Sequence, residues 1–372
     1  MAAAATLRNE ASAQAKARHH IRLTHRGATR YIHLPGSAAD HNVQTPVSLD
    51  SPRVDPTVRR DLRLPALRRF AIAITVLNTL GHTVLGFETS MAQVVVAAGT
   101  AYLVEVLLEL VAARSEGRKP AFIDRPVAVV DFFLPAHITG LAISMLLYAG
   151  DRMLPYVFAS TIAITSKTLM TASVGKRSRH FLNPSNTGLV AAVFLFPSVA
   201  ITPGYHFSEY ITGPWDWALP ALIICTGTFL NWRFTRKIPL ILSWLAAFVL
   251  QAWIRHLVFD TWVWASLAPL TGVAYVLFTF YMIPDPGTTP STTRGQIVFG
   301  ASVGLLYGVL MALHIVFAAF VALFVVCFTR GLILHALTLP WVAAWRARMA
   351  APVPALAQSP TAVRTIAGSV KP

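Results

Sequence analysis

Phe280-Tyr-Met-Ile-Pro-Asp-Pro-Gly-Thr-Thr-Pro-Ser-Thr-Thr-Arg-Gly-Gln-Ile-Val-Phe-Gly300 is a polar break between two apolar runs of helical length. Its prolines at 284, 286 and 290 remove backbone donors and stop a helix. Non-helical backbone at membrane depth is tolerated only where protein or a water-filled cavity satisfies it. A break of this kind therefore marks a place where a ligand, a cofactor or a path can lie, provided the chain is a membrane protein.

The remainder of the sequence supplies that condition. Of 372 residues 55% are hydrophobic and 13% are charged, and the mean hydropathy is +0.57. Apolar runs near 70–87, 91–113, 127–149, 153–172, 187–202, 216–230, 238–254, 264–283, 296–313 and 315–338 predict about ten spans of an all-α polytopic membrane protein. This pattern excludes a soluble globular protein. Ten short-looped helices also suit an inverted five-plus-five repeat, although no internal sequence match supports one.

The net charge of +15 raises the question of nucleic acid, but its distribution answers it. Residues 1–70 carry twelve Lys/Arg against five Asp/Glu, and most other basic residues fall in short loops. With the N-terminus inside the cell membrane, the inner loops carry eleven basic residues, from Arg114 to Arg294, against Arg152 and Arg255 outside. The positive-inside bias thus predicts a cell-membrane protein with both termini cytoplasmic and an even number of spans. Residues 1–65 lack an apolar core and a signal-peptide segment and read as a disordered basic tail drawn to anionic lipid; 66–340 form the membrane domain, and 341–372 a second cytoplasmic tail.

Ionisable residues inside spans cost roughly 2.5–3.5 kcal/mol at the centre and need a partner or a cavity. Glu105 and Glu109, four apart on one helix face, suit a cation or a proton relay, or else meet Arg114 or Lys119 at the interface. Asp131 is expected to pair with Arg125, and Lys167 lies deep among hydroxyl residues, where it serves a site or snorkels. His82, His137, His256, His314 and His335 offer no helix with two histidines spaced for stacked haems, so hydrogen bonding between helices is the expectation. Cys225 and Cys327 read as buried core residues, and no metal site is expected.

Two breaks carry the remaining candidates. Asn183 caps a helix whose first residue is Pro184, with Ser185, Asn186 and Thr187 as further polar groups. Asp285, Thr288, Thr292, Thr293 and Arg294 repeat the device at the second break, where hydroxyls, an arginine and a helix N-terminus suit a phosphate or another anion, or serve as caps alone. No P-loop, dinucleotide fingerprint or cysteine cluster is present.

At these breaks the sequence resembles the RnfD/NqrB family, membrane subunits of the Rnf and sodium-pumping NADH:quinone oxidoreductase complexes. The likeness runs from about residue 65 to 340. It rests on Asp285-Pro-Gly-Thr-Thr-Pro-Ser-Thr-Thr-Arg-Gly-Gln-Ile-Val-Phe-Gly-Ala-Ser-Val-Gly304 and on Asn183-Pro-Ser-Asn186, with Lys167 near the family's usual lysine. The resemblance implies a ten-helix, urea-transporter-like fold, a part in flavin-linked electron transfer across a membrane, and other redox subunits as partners. Within the family it is most similar to the stand-alone members of enediyne antibiotic biosynthesis clusters.

One departure matters. Relatives with covalent FMN attach it to the last Thr of a Ser/Thr-Gly-Ala-Thr motif, whereas the nearest stretch here is Thr212-Gly-Pro-Trp215, and an indole cannot form a phosphoester. Covalent FMN is not expected; a non-covalent flavin (FMN or riboflavin) is, with Phe280, Tyr281 and Arg294 as contacts and Lys167, Asn183, Ser185, Asn186, Asp285, Thr288, Thr292, Thr293 and Arg294 as site candidates. The alternative is a small-solute transporter or channel that keeps such a pore without redox work.

Overall fold

The computed structural model of the chain describes residues 20–25, 28–33, 63–123, 126–174, 177–201, 210, 212–340 and 342. In the N-terminal unit, β1 (His20–His25) pairs antiparallel with β2 (Ala28–His33). The second unit, from Arg60 onward, is helical. Its helices are α1 (Arg63–Leu80), α2 (Met91–Ser115), α3 (Pro126–Leu146), α4 (Leu154–Leu169), α5 (Pro184–Leu195), α6 (Ala218–Leu230) and α7 (Ile238–Phe259). They continue with the bent pair α8 (Val263–Thr271) and α9 (Val273–Met282), then α10 (Thr293–Ala312) and α11 (Ala318–Ala336).

Each predicted apolar run falls on a helical segment. By length and hydropathy, however, five helices reach membrane-crossing size among the described residues, and six if the pair α8/α9, bent by 70°, counts as one span. The runs fall short for identifiable reasons. The carboxyl end of α4 gives way to the hairpin of β3 (Thr171–Val174) and β4 (Arg177–His180), and α5 starts only at Pro184. The chain also turns through one-turn π-helices at Gly81–Leu85 and Asn231–Thr235, which extend α1 and α6 without lengthening their α-helical part, and at Phe278–Met282, which forms the second half of α9.

The surface identifies the solvent of this protein. In α2, only Gln93, Ala97, Ala101 and Ala113 are buried, while Val95, Leu103, Leu107 and Val111 are exposed. A water-soluble protein reverses that distribution, so this helix faces lipid. The chain is an all-α, multi-pass membrane protein.

Small residues allow the helices to touch. Gly300, Gly304 and Gly308 form one stripe on α10 against α7, and a Cβ at Gly304 would lie 2.5 Å from that of Ala247. Stripes of small residues serve membrane helices because lipid offers no hydrophobic drive for association and contact must be close. Three pairings recur in the two halves, α1 with α3, α2 with α4 and α4 with α5 in the first and α6 with α9, α7 with α10 and α10 with α11 in the second, whereas the close packing of α2 on α3 has no equal among the described residues of the second half. Trp244, Phe248, Phe278 and Tyr307 fill the core of the second half, where the Trp244 indole donates to Thr279 Oγ1 at 3.0 Å.

Candidate functional site

The two polar breaks meet. Asn183 caps α5 by accepting from the Asn186 amide at 3.1 Å, as its sequence predicts, and its Nδ2 donates across to the Met282 carbonyl at 3.1 Å. Asn231 donates from α6 to the Phe280 carbonyl at 2.7 Å and to that of Gly227. These amides satisfy carbonyls at the end of α9.

Beyond α9 the chain turns tightly. Asp285 Oδ1 accepts from the Gly287 amide at 3.0 Å, Oδ2 accepts from the Thr288 hydroxyl, and the Asp285 carbonyl takes the amides of Thr288 and Thr289. Asp285 therefore closes a turn and does not cap α10. That cap is Thr292, whose hydroxyl accepts from the Gly295 amide at 3.2 Å.

A cavity of about 380 Å³ opens beside this junction, between α1, α3, α6 and α9. Its walls are mostly apolar and include Phe70, Phe280 and Tyr281, with the Phe70 and Tyr281 rings 5.2 Å apart. Lys167, His180, Asn183, Ser185 and Asp285 collect at its polar end. Along α1 the lining runs from Ala66 to Leu80, about 21 Å at 1.5 Å per residue. Of the other predicted residues, Thr288 is buried in the Asp285 turn and Asn186 is buried with its Nδ2 on the Phe320 carbonyl. Thr292 lines a smaller cavity, whereas Thr293 and Arg294 are exposed and line neither.

The carboxylates expected inside spans, Glu105, Glu109 and Asp131, are each paired with a cation. Lys167 Nζ donates to Glu105 Oε1 at 2.6 Å, both side chains largely buried, while Glu105 Oε2 is buried without a partner. Glu109 binds Arg118 of the adjoining loop and accepts from the Ala121 amide at 2.7 Å, so the expected Arg114 or Lys119 is not its partner. Asp131 likewise pairs with Arg68 of α1, through two bonds of 2.8 Å. The expected partner, Arg125, lies outside the described residues.

The histidines bond to neighbouring groups. His137 sits between Thr75 Oγ1 at 2.7 Å and the Tyr102 hydroxyl at 2.5 Å, His82 contacts the Asn78 carbonyl and Thr89, and His256 contacts the Thr261 carbonyl. Among the described residues no group of three or more His, Cys, Asp or Glu is placed to hold a metal ion. Cys327 is buried as expected, but Cys225 is exposed on α6.

Sequence reasoning misses two residues at the second break. Lys237 is counted as a loop charge yet is buried, donating to the carbonyls of Pro290 at 2.6 Å and Thr289 at 3.5 Å. Burial pulls its pKa down to about 8, Asp285 opposes that shift, and Arg330 and Arg179 add to it. Arg330, in the last span, donates to the Thr288 carbonyl at 2.8 Å. Its position in an apolar helix was the available signal.

No protein-family model matches the chain. Over 108 residues it is 34% identical to the RnfD component of the ion-translocating oxidoreductase complex of Sodalis glossinidius (strain morsitans). The chain is similar to an RnfD-type protein. This match bears out the family resemblance over the aligned stretch, which is 29% of the chain and 31% of that relative.

Proposed function

We propose that this protein is the membrane-embedded component of an ion-translocating oxidoreductase complex and holds a flavin non-covalently in the cavity between α1, α3, α6 and α9. The supporting observation is the cavity itself. Its volume of about 380 Å³ lies toward the small end of the roughly 300–1,000 Å³ usual for cofactor pockets, and it joins aromatic walls to one polar end. A bound flavin would supply electron-relay chemistry. Phe70, Phe280 and Tyr281 would flank the ring, and Lys167 would offer an ammonium held by Glu105. Asn183 and Asn231 already serve backbone carbonyls, so they fix the wall rather than the ligand. Trp215, exposed in the one-turn helix Gly213–Trp217, gives no acceptor for covalent FMN.

Redox subunits as partners and cytoplasmic termini belong to this reading. Service to an enediyne-type pathway rests on sequence likeness alone. The test is purification from native membranes: flavin absorbance that bleaches with a reductant supports the assignment, and its absence overturns it.

A second reading has one observation in its favour, the length of the cavity along α1. A path of about 21 Å covers much of a hydrocarbon core of about 30 Å and suits a small-solute transporter or channel. Solute flux into proteoliposomes containing only this chain, with no flavin bound, would favour it.

A further inference from the structure

Three cations converge on the second break from three different elements. Arg179 comes from β4, Lys237 from the turn before α7, and Arg330 from α11. Arg179 and Arg330 line a second cavity, of about 160 Å³, with Thr289, Ser291 and Thr292 at the start of α10. His180 and Gly287 line both this cavity and the larger one and so stand between them.

The charges here do not balance. Lys237 and Arg330 are solvated by the carbonyls of Thr288, Thr289 and Pro290, but a carbonyl carries no net charge. Among the described residues none of the three cations has a carboxylate within ion-pairing distance. Asp285, whose charge bears on Lys237, uses its oxygens to close its own turn. The Arg179 Nε is buried with no hydrogen-bond partner. Sequestered positive charge with an unused donor is costly unless an anion accompanies it. The 20-residue helix α10 also begins here, and its cap Thr292 lines the cavity.

We propose that this second cavity is an anion site for a phosphate-class group, with the guanidinium groups of Arg179 and Arg330 as its ligands at the N-terminus of α10. Two planar guanidinium forks suit a tetrahedral oxyanion better than a halide. At about 160 Å³ the cavity exceeds the roughly 30 Å³ that one water occupies. The inference does not depend on a flavin in the larger cavity, and it is tested by a binding measurement on flavin-free protein.

The phosphate can be free or part of a lipid headgroup, and the experiment separates the two. Full-length protein is titrated with inorganic phosphate at constant ionic strength, and its melting is compared in phosphatidylglycerol and phosphatidylcholine nanodiscs. Saturable phosphate binding that weakens at least tenfold in R179Q identifies a soluble phosphate. A phosphatidylglycerol-specific rise in melting temperature that R179Q abolishes identifies a headgroup. R179Q is the decisive variant, because Arg330 also holds the Thr288 carbonyl and R330Q can fail to fold. Arg152→Gln, at the far ends of α3 and α4, controls for net charge and leaves either signal unchanged. No saturable phosphate binding and no lipid preference, or signals that persist undiminished in R179Q, would overturn the proposal.

Discussion

At the scale of single residues, the pair Lys167–Glu105 carries the clearest consequence. Removing one member of a buried ion pair strands the other charge, at a cost of up to 3–5 kcal/mol for a fully buried pair. These side chains keep 20% and 13% of their exposure, so Lys167→Met is expected to cost about 1–3 kcal/mol. The double variant Lys167→Met/Glu105→Gln removes both charges and should recover most of the lost melting temperature. A double variant no more stable than Lys167→Met would show that the lysine acts through something other than Glu105. Lys237 makes a prediction about pH. Its folded pKa of about 8 lies below the ordinary lysine value of 10.5, so between these values the unfolded chain binds more protons. Stability should therefore rise as pH increases from about 8 to about 10.5, by on the order of 3 kcal/mol. Thermal melts in detergent across that range should lose the rise in Lys237→Met.

At the scale of elements, the stripe Gly300/Gly304/Gly308 decides how α7 and α10 meet. Gly304→Leu places a side chain where even a Cβ would clash with Ala247, and overpacking of this kind costs about 1–3 kcal/mol. The melting temperature should fall, whereas Gly99→Ala, inside α2 with nothing within 4 Å of its Cβ position, should not lower it and should raise it slightly, since alanine favours the helix by about 0.5–1 kcal/mol. Asn183→Ala should also destabilise. It removes a cap worth about 1 kcal/mol and takes from the Met282 carbonyl the shorter of its two hydrogen bonds, leaving only the 3.4 Å bond from the Asp285 amide. Of these features, the Asn183–Pro184 cap was legible because its signal is local. The Asp285 turn was not, since Asp-Pro reads equally as a helix start or a tight turn, and only the position of Thr292 decides between them. The partners of Asp131 and Lys167 lie 63 and 62 residues away in sequence, and charge type alone does not reveal such distances.

At the scale of the whole molecule, composition and periodicity made the helical membrane class readable, because hydropathy reports the solvent a segment prefers. The meeting of residues 180–187 with 284–292 was not readable, since it depends on packing between helices from opposite halves of the chain. Orientation remains as a prediction, argued from charge. Arg114 lies in the last turn of α2 and Arg118 and Lys119 follow it, while Arg152 precedes α4, so ends of opposite basic content bracket α3. Cysteine placed at Ser115, in a background lacking Cys225 and Cys327, should react with a membrane-impermeant maleimide only after the cells are opened. Cysteine at Asp151 should react on intact cells. The reverse pattern would invert every loop and place the cavity's polar end, with Lys167 and Asp285, on the outer face, where cytoplasmic electron donors could not reach it.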